Sequence, residues 1–305
     1  MEKKLICAAG NLIFLALICP GVGIGAGNQS ITRPTTLAVL DFGDSGIGRA
    51  APEKLSLNLK LETSVVILDR DQVRAAARGA GYAGSINLSL NEARDLGAAL
   101  GCDFFILGDA QTLRRSPSTG SVYFESYASI FVVSGRTGRL LLWERPSFQG
   151  VTPALAEQAL LSELSGFESR QHIALSVRRA QEDERGEREL TTDQHVPIIE
   201  EAPDDDKSAA AEGLRLPRPY RRLVPAYPES AAHAEAEATV DVLVDLDSTG
   251  EVTRVEIARW AGFGLDQTTV DTVRRLHFFP AMRNGAAIPI RVLLRYNFRK
   301  PPRSN

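Results

Sequence analysis

Cysteine is scarce in this chain, and that limits its covalent chemistry. Of three cysteines in 305 residues, Cys7 and Cys19 fall in an apolar N-terminal run, so Cys102 stands alone in the body and no internal disulfide can form there. This usage fits an oxidising compartment without requiring one. Histidine is equally thin: His172, His195, His233 and His277 are too scattered for ligand spacing, and no metal site is expected. Charge of one sign is also lacking. A net charge of −3 gives no footprint for a nucleic-acid partner. The longest apolar run, Leu5 to Cys19, is roughly 15 residues, below the ~20 that a spanning helix normally needs.

Enzymatic constellations are incomplete. Gly43-Asp44-Ser45-Gly46-Ile47-Gly48 lies between a strand and a helix, but it lacks the Lys-Ser/Thr of a phosphate loop and the dinucleotide spacing. Asp41-Phe42-Gly43 has no catalytic loop to accompany it. The dense carboxylates sit at 182–184, 200–201 and 204–206, where nothing desolvates them. Cys102, after a helix-ending glycine and before an apolar strand, reads as a small core residue. No catalytic residue and no cofactor are expected.

What is present is a sequence of organised parts. Lys3 and Lys4, the apolar run, Pro20 and the small residues Gly21 to Gly27 describe a secretory signal over residues 1–27, either cleaved or kept as a short membrane anchor. Ile18, where a small residue is expected, argues against a lipoprotein at Cys19. Residues 31–180 read as an α/β mixed-sheet domain. Leu37 to Leu40, Val65 to Leu68 and Phe104 to Leu107 are short apolar runs suited to strands buried on both faces. Helices are expected over 52–62, from Asp69 or Asp71 to Gly79, and from a capping box at Ser89 and Glu92 to Gly101. Val122 to Val133 turns at Gly135-Arg136-Thr137-Gly138 into Arg139 to Glu144. A helix over 152–179 follows, with Leu155, Leu160, Leu164 and Phe167 on its apolar stripe.

Residues 181–219 are acidic and polar and read as a disordered linker, relaxed to a span on the order of 30 Å. Residues 220–300 form a small ββαβ unit. Ala238, Val240, Val242, Val244 and Leu246 alternate with polar residues. Asp247 to Gly250 supplies a turn, and the spacing of Val252 and Val255 predicts a bulge. Asp266 is placed to cap a helix carrying Val270, Val273 and Leu276 that Pro280 ends. The last strand, Ile288 to Phe298, sets Arg291, Arg295 and Asn297 opposite its apolar face. The fold class is therefore α+β, two domains joined by an acidic linker.

Pro225-Ala226-Tyr227-Pro228, the Val-rich strand into Asp-x-x-Gly, Gly262 with Leu265-Asp266, Phe279-Pro280, Gly285 and a terminal strand ending at Phe298 resemble the TonB C-terminal domain family. The resemblance implies a cell-envelope protein of a Gram-negative bacterium, exported to the periplasm and supporting energy-dependent transport. It implies an outer-membrane TonB-dependent receptor as partner, whose TonB-box peptide adds as a strand to the exposed edge, with inner-membrane motor proteins behind it. It assigns binding to Arg291, Leu293, Arg295 and Asn297, with Tyr227 and Pro228 shaping the groove. The same edge could instead pair in a homodimer or be covered by the tail Arg299 to Asn305. Unlike TonB relatives, Leu5 to Cys19 carries no histidine, and an acidic stretch replaces the Pro-rich spacer. A periplasmic scaffold or assembly factor is the alternative. More weakly, Ala38-Val39-Leu40-Asp41-Phe42, Leu68-Asp69-Arg70 and Gly101-Cys102-Asp103 to Gly108 resemble the α/β domain of the TolB and curli-assembly (CsgG) group.

Overall fold

A computed structural model describes residues 34–191, 199–203 and 205–300. The expected signal or anchor over 1–27, and the tail beyond residue 300, lie outside the described residues. Among the described residues no helix is long and apolar enough to cross a membrane. The elements run β1 (Thr35–Val39), α1 (Gly46–Leu59), β2 (Val65–Ile67), α2 (Arg70–Gly79), α3 (Leu90–Leu100), β3 (Phe104–Arg115), β4 (Tyr123–Ser134), β5 (Leu140–Glu144), β6 (Ser147–Gly150), α4 (Pro153–Leu164) and α5 (Phe167–Thr191). After them come α6 (Asp206–Ala211), β7 (Leu214–Arg215), β8 (Arg218–Pro219), α7 (Glu229–Ala234), β9 (Ala238–Leu246), β10 (Val252–Arg259), α8 (Leu265–Val273), β11 (Phe278–Phe279), β12 (Ala281–Arg283), β13 (Ala286–Ile288) and β14 (Ile290–Phe298).

The α+β class holds, with an N-terminal mixed sheet ordered β2-β1-β3-β4-β5 and β6 also paired to β4. β1 runs parallel to β2 and β3, and the remaining pairs are antiparallel. One face, through Leu37, Val39, Ile106 and Ile130, packs on α1, α4 and α5. The smaller sheet is ordered β10-β9-β14, and the predicted bulge appears as a register shift between Val252 and Arg254. The capping box of Ser89 and Glu92 and the left-handed Gly101 form as the sequence predicts.

Several local expectations are corrected. α1 starts at Gly46, capped by Ser45, instead of at Pro52. Pro52 sits inside it because the Gly48 carbonyl, which Pro52 cannot bond, accepts from the Phe42 N–H at 3.0 Å. β2 is an edge strand with Val66 exposed, where a strand buried on both faces was expected. The helix over 152–179 is two helices, broken at Ser165-Gly166, and Leu155 and Phe167 point to solvent. Leu276 lies past the end of α8, and Pro280 separates β11 from β12. The final strand is interrupted at Pro289, which divides β13 from β14.

The linker expectation also changes. Residues 181–191 continue α5, because their charges find partners at the end of β4 and in the turn to β5: Glu184 accepts from Ser134 and Arg136, and Glu187 pairs with Arg139. Asp205 caps α6, and Leu214 is buried where β7 pairs β12. In its described residues this acidic segment is folded.

The two parts are not held apart. One hydrophobic cluster runs from Leu107, Phe131 and Val133 of the larger sheet into Val240, Trp260 and Phe263 of the smaller part. Trp260 stacks on Phe131 at 5.8 Å between centroids and donates its indole N–H to the Gly138 carbonyl at 3.0 Å. The Asn87 amide is matched to backbone at Thr239 and Trp260. The described residues from Pro34 onward form one compact unit.

Candidate peptide-binding edge

β14 carries most of the residues that the sequence singles out. It pairs with β9 along its whole length, from Ile290 opposite Leu246 to Phe298 opposite Ala238, and lies at the end of the sheet. Its even-numbered residues, Ile290 to Phe298, face the core. Arg291, Leu293, Arg295 and Asn297 share the outer face.

That face is an ion-pair lattice. Arg291 grips Asp245 through two hydrogen bonds of 2.6 and 2.9 Å, and Arg295 grips Asp241 through two of 2.7 and 2.9 Å. Both carboxylates are almost fully buried, and Arg259 also approaches Asp241 at 3.4 Å. The hydrogen bonds to Asp245 and Asp241 raise the pKa of the two guanidinium groups further above their ordinary value. Asn297 accepts from the Thr239 hydroxyl at 2.8 Å. Leu293, half-exposed, is the apolar break in this row. Arg291, Arg295 and Asn297 thus pin β14 to β9.

The backbone is arranged differently. In an antiparallel ladder, alternate residues turn both their amide and their carbonyl to the same side. Arg291 turns both outward: its N–H donates to the Glu200 carbonyl and its carbonyl accepts from Ala202 N–H, each at 2.8 Å. By that alternation Leu293, Arg295 and Asn297 also present theirs outward. Among the described residues no strand pairs with them there; a short parallel bridge from Glu201 covers Arg291 alone.

Beside this edge run two connected grooves, of about 560 and about 420 Å³, that share Pro219, Phe278, Leu294 and Arg295. Leu216, Pro217 and Leu223 complete an apolar wall facing Val292 and Tyr296. Sequence reasoning missed that wall. Its signal was Leu214 and Leu216, two apolar residues at strand spacing inside an acidic stretch.

Tyr227 and Pro228 do not line these grooves. The Tyr227 hydroxyl bonds the carbonyls of Ala231 and Ala236, at 3.2 and 2.6 Å, and its ring lies 6.5 Å from Phe298. Pro228 occupies the N-cap position of α7. Asp266, expected at the helix cap, instead accepts from the Ala261 and Gly262 N–H groups, both at 2.8 Å. It thereby holds the loop that carries Trp260 and Phe263, and burial pushes its carboxyl up to about 6.

Residues 224–299 match the family described as the Gram-negative bacterial TonB protein C-terminal. This stretch is a TonB C-terminal domain. The solution structure of the Pseudomonas aeruginosa TonB C-terminal domain is similar at 20% identity, covering 29% of this chain and 90% of that one with a TM-score of 0.25. The hypothetical protein CT253 from Chlamydia trachomatis is similar at 13% identity, over 43% of this chain and 94% of that one, with a TM-score of 0.31. The C-terminal domain of LpoB from Salmonella enterica is similar at 14% identity, over 40% and 87%, with a TM-score of 0.28. No curated protein matches the chain.

The TonB C-terminal domain therefore contributes an edge strand and an outward backbone face, and Leu216, Pro217 and Leu223, which precede it, wall the groove beside them. Burial pushes the Cys102 thiol up to about 12, so it stays protonated and unreactive at neutral pH. Asp41, held below its usual range despite partial burial, is clamped by Arg70 and Arg74. No group of three His, Cys, Asp or Glu among the described residues could hold a metal.

Proposed function

We propose that the TonB C-terminal domain binds an extended peptide of an outer-membrane TonB-dependent receptor by strand addition to β14, in the periplasm of a Gram-negative bacterium, supporting energy-dependent transport. The observation that carries this reading is the outward backbone of Leu293, Arg295 and Asn297. A strand added there gains main-chain hydrogen bonds, and alternate side chains drop toward Leu216, Pro219 and Phe278. The favoured peptide is extended, with apolar residues at every second position.

Leu293→Pro tests it in the full chain. Proline removes an outward N–H without touching the β9 ladder, a position where sheets tolerate it. Binding of a TonB-box peptide, followed by fluorescence anisotropy, should weaken at least tenfold with the melting temperature within a few degrees of the parent. Unchanged affinity in a folded variant sinks the reading.

A scaffold or assembly role is the second reading, and one observation favours it. The domain shares a core with the α/β part, so its reach is that of one compact body and not of a tethered arm. Inner-membrane motor proteins would then be unnecessary as partners. Crosslinking in cells separates the two: receptor adducts favour transport, and adducts confined to other envelope components favour the scaffold.

A further inference from the structure

The edge that would receive a peptide is not empty along its length. Ile199 to Pro203 approaches β14 in parallel, and Glu200 and Ala202 make the two backbone hydrogen bonds that an incoming strand would make at Arg291. The Glu200 side chain is anchored separately, by a two-pronged ion pair with Arg283 of β12 at 2.5 and 2.8 Å. Ala202 and Pro203 then close one end of the groove beside Leu293. Pro203 has no N–H to extend a ladder past Ala202.

We infer that residues 199–203 are a built-in competitor, a strand-mimicking strap that holds the Arg291 end of the β14 edge against a partner strand. The inference rests on the peptide-binding reading and adds a regulatory element to it. With the strap seated, a partner has only the positions of Leu293, Arg295 and Asn297. With the strap released, it can pair from Arg291 onward and enter the groove at its Ala202 end. The strap's hold is small, two neutral hydrogen bonds and one half-exposed ion pair. It is therefore suited to displacement by a peptide and not to permanent closure.

The test compares the full parent chain with Ala202→Pro, which deletes the N–H given to the Arg291 carbonyl, and with Glu200→Ala, which cuts the anchor to Arg283. Neither replaces a residue of β14. The probe is a short acetylated and amidated peptide alternating threonine and valine. Both variants should bind it three- to tenfold more tightly than the parent, and the Arg291 amide should exchange with solvent at least tenfold faster in the unliganded variants. Parent-like affinity in both variants, with binding still abolished by Leu293→Pro, overturns the strap while leaving the peptide site intact. If no chain binds the peptide, the peptide-binding reading fails with this probe and amide exchange decides edge occupancy alone. Faster exchange at Arg291 in the variants then upholds the strap as an edge cover, and equal exchange overturns it.

Discussion

Trp260 of the TonB C-terminal domain lies against Phe131 of the larger sheet, the two rings 28° from coplanar with centroids 5.8 Å apart. Both are fully buried, and Phe263 meets the same Phe131 edge-on at 5.6 Å. This contact joins the two parts through one shared hydrophobic core.

Replacing Trp260 with alanine removes that stacking, the indole bond to Gly138 and a large buried volume. Losses for such truncations run to about 3–5 kcal/mol. Urea unfolding of the parent chain should show one transition by both tyrosine fluorescence and far-UV circular dichroism. In Trp260→Ala the midpoint should fall sharply, or the transition should divide in two. A parent-like midpoint in the variant would contradict a shared core.

Gly262 answers to the same contact. Its φ of +73° is costly for any residue with a side chain, and an added Cβ would lie 2.5 Å from Phe131 Cε1. Gly262→Ala should lower the melting temperature by several degrees, whereas Gly285→Ala, also at positive φ but with nothing near its Cβ, should lower it less. Equal losses at the two positions would show that backbone strain alone is at work.

Asp266 makes stability depend on pH in a defined direction. Burial favours its neutral form and lifts its carboxyl from 3.8 to about 6, against the opposing pull of the Ala261 and Gly262 amides. The folded state therefore holds a proton between these values that the unfolded chain has released. This group's contribution is fully present below pH 4 and is lost as pH rises through about 6. Relative to Asp266→Asn, the parent should lose on the order of 2 kcal/mol between pH 4 and pH 7. Urea midpoints measured across that range check it, and a constant difference between the two proteins would refute it.

Arg291 and Asp245 form a pair whose halves are not equivalent. Arg291→Ala leaves a buried carboxylate without its two strongest donors, while Arg291→Ala combined with Asp245→Val removes both charges. Because an uncompensated buried charge costs more than the absence of the pair, the double variant should be more stable than the single one. Thermal melts at neutral pH give the order directly, and a double variant less stable than Arg291→Ala would reverse the argument.

Legibility in the sequence followed the range of the interactions involved. Ser89 and Glu92 cap α3 through contacts three residues apart, and the alternation of Val240, Val242 and Val244 declares a strand with one buried face. Order in residues 199–219 was illegible, since its signals are Glu200 meeting Arg283 and Leu214 buried opposite β12, partners far along the chain. The same holds for Asp266, whose carboxylate reads locally as a helix cap but closes the loop behind it.

The sequence by itself determined that residues 224–299 make a TonB C-terminal domain, because its turns, strand alternation and glycines act over short distances. It also determined the order of most elements in the α/β part. Only the tertiary structure decided that Phe131 and Trp260 fuse the two parts, that Arg291 and Arg295 are spent on Asp245 and Asp241, and that Glu200 to Ala202 lie on the β14 edge. Each of those is a contact between residues remote in sequence, where hydrophobic burial and charge pairing choose a partner that no local pattern encodes.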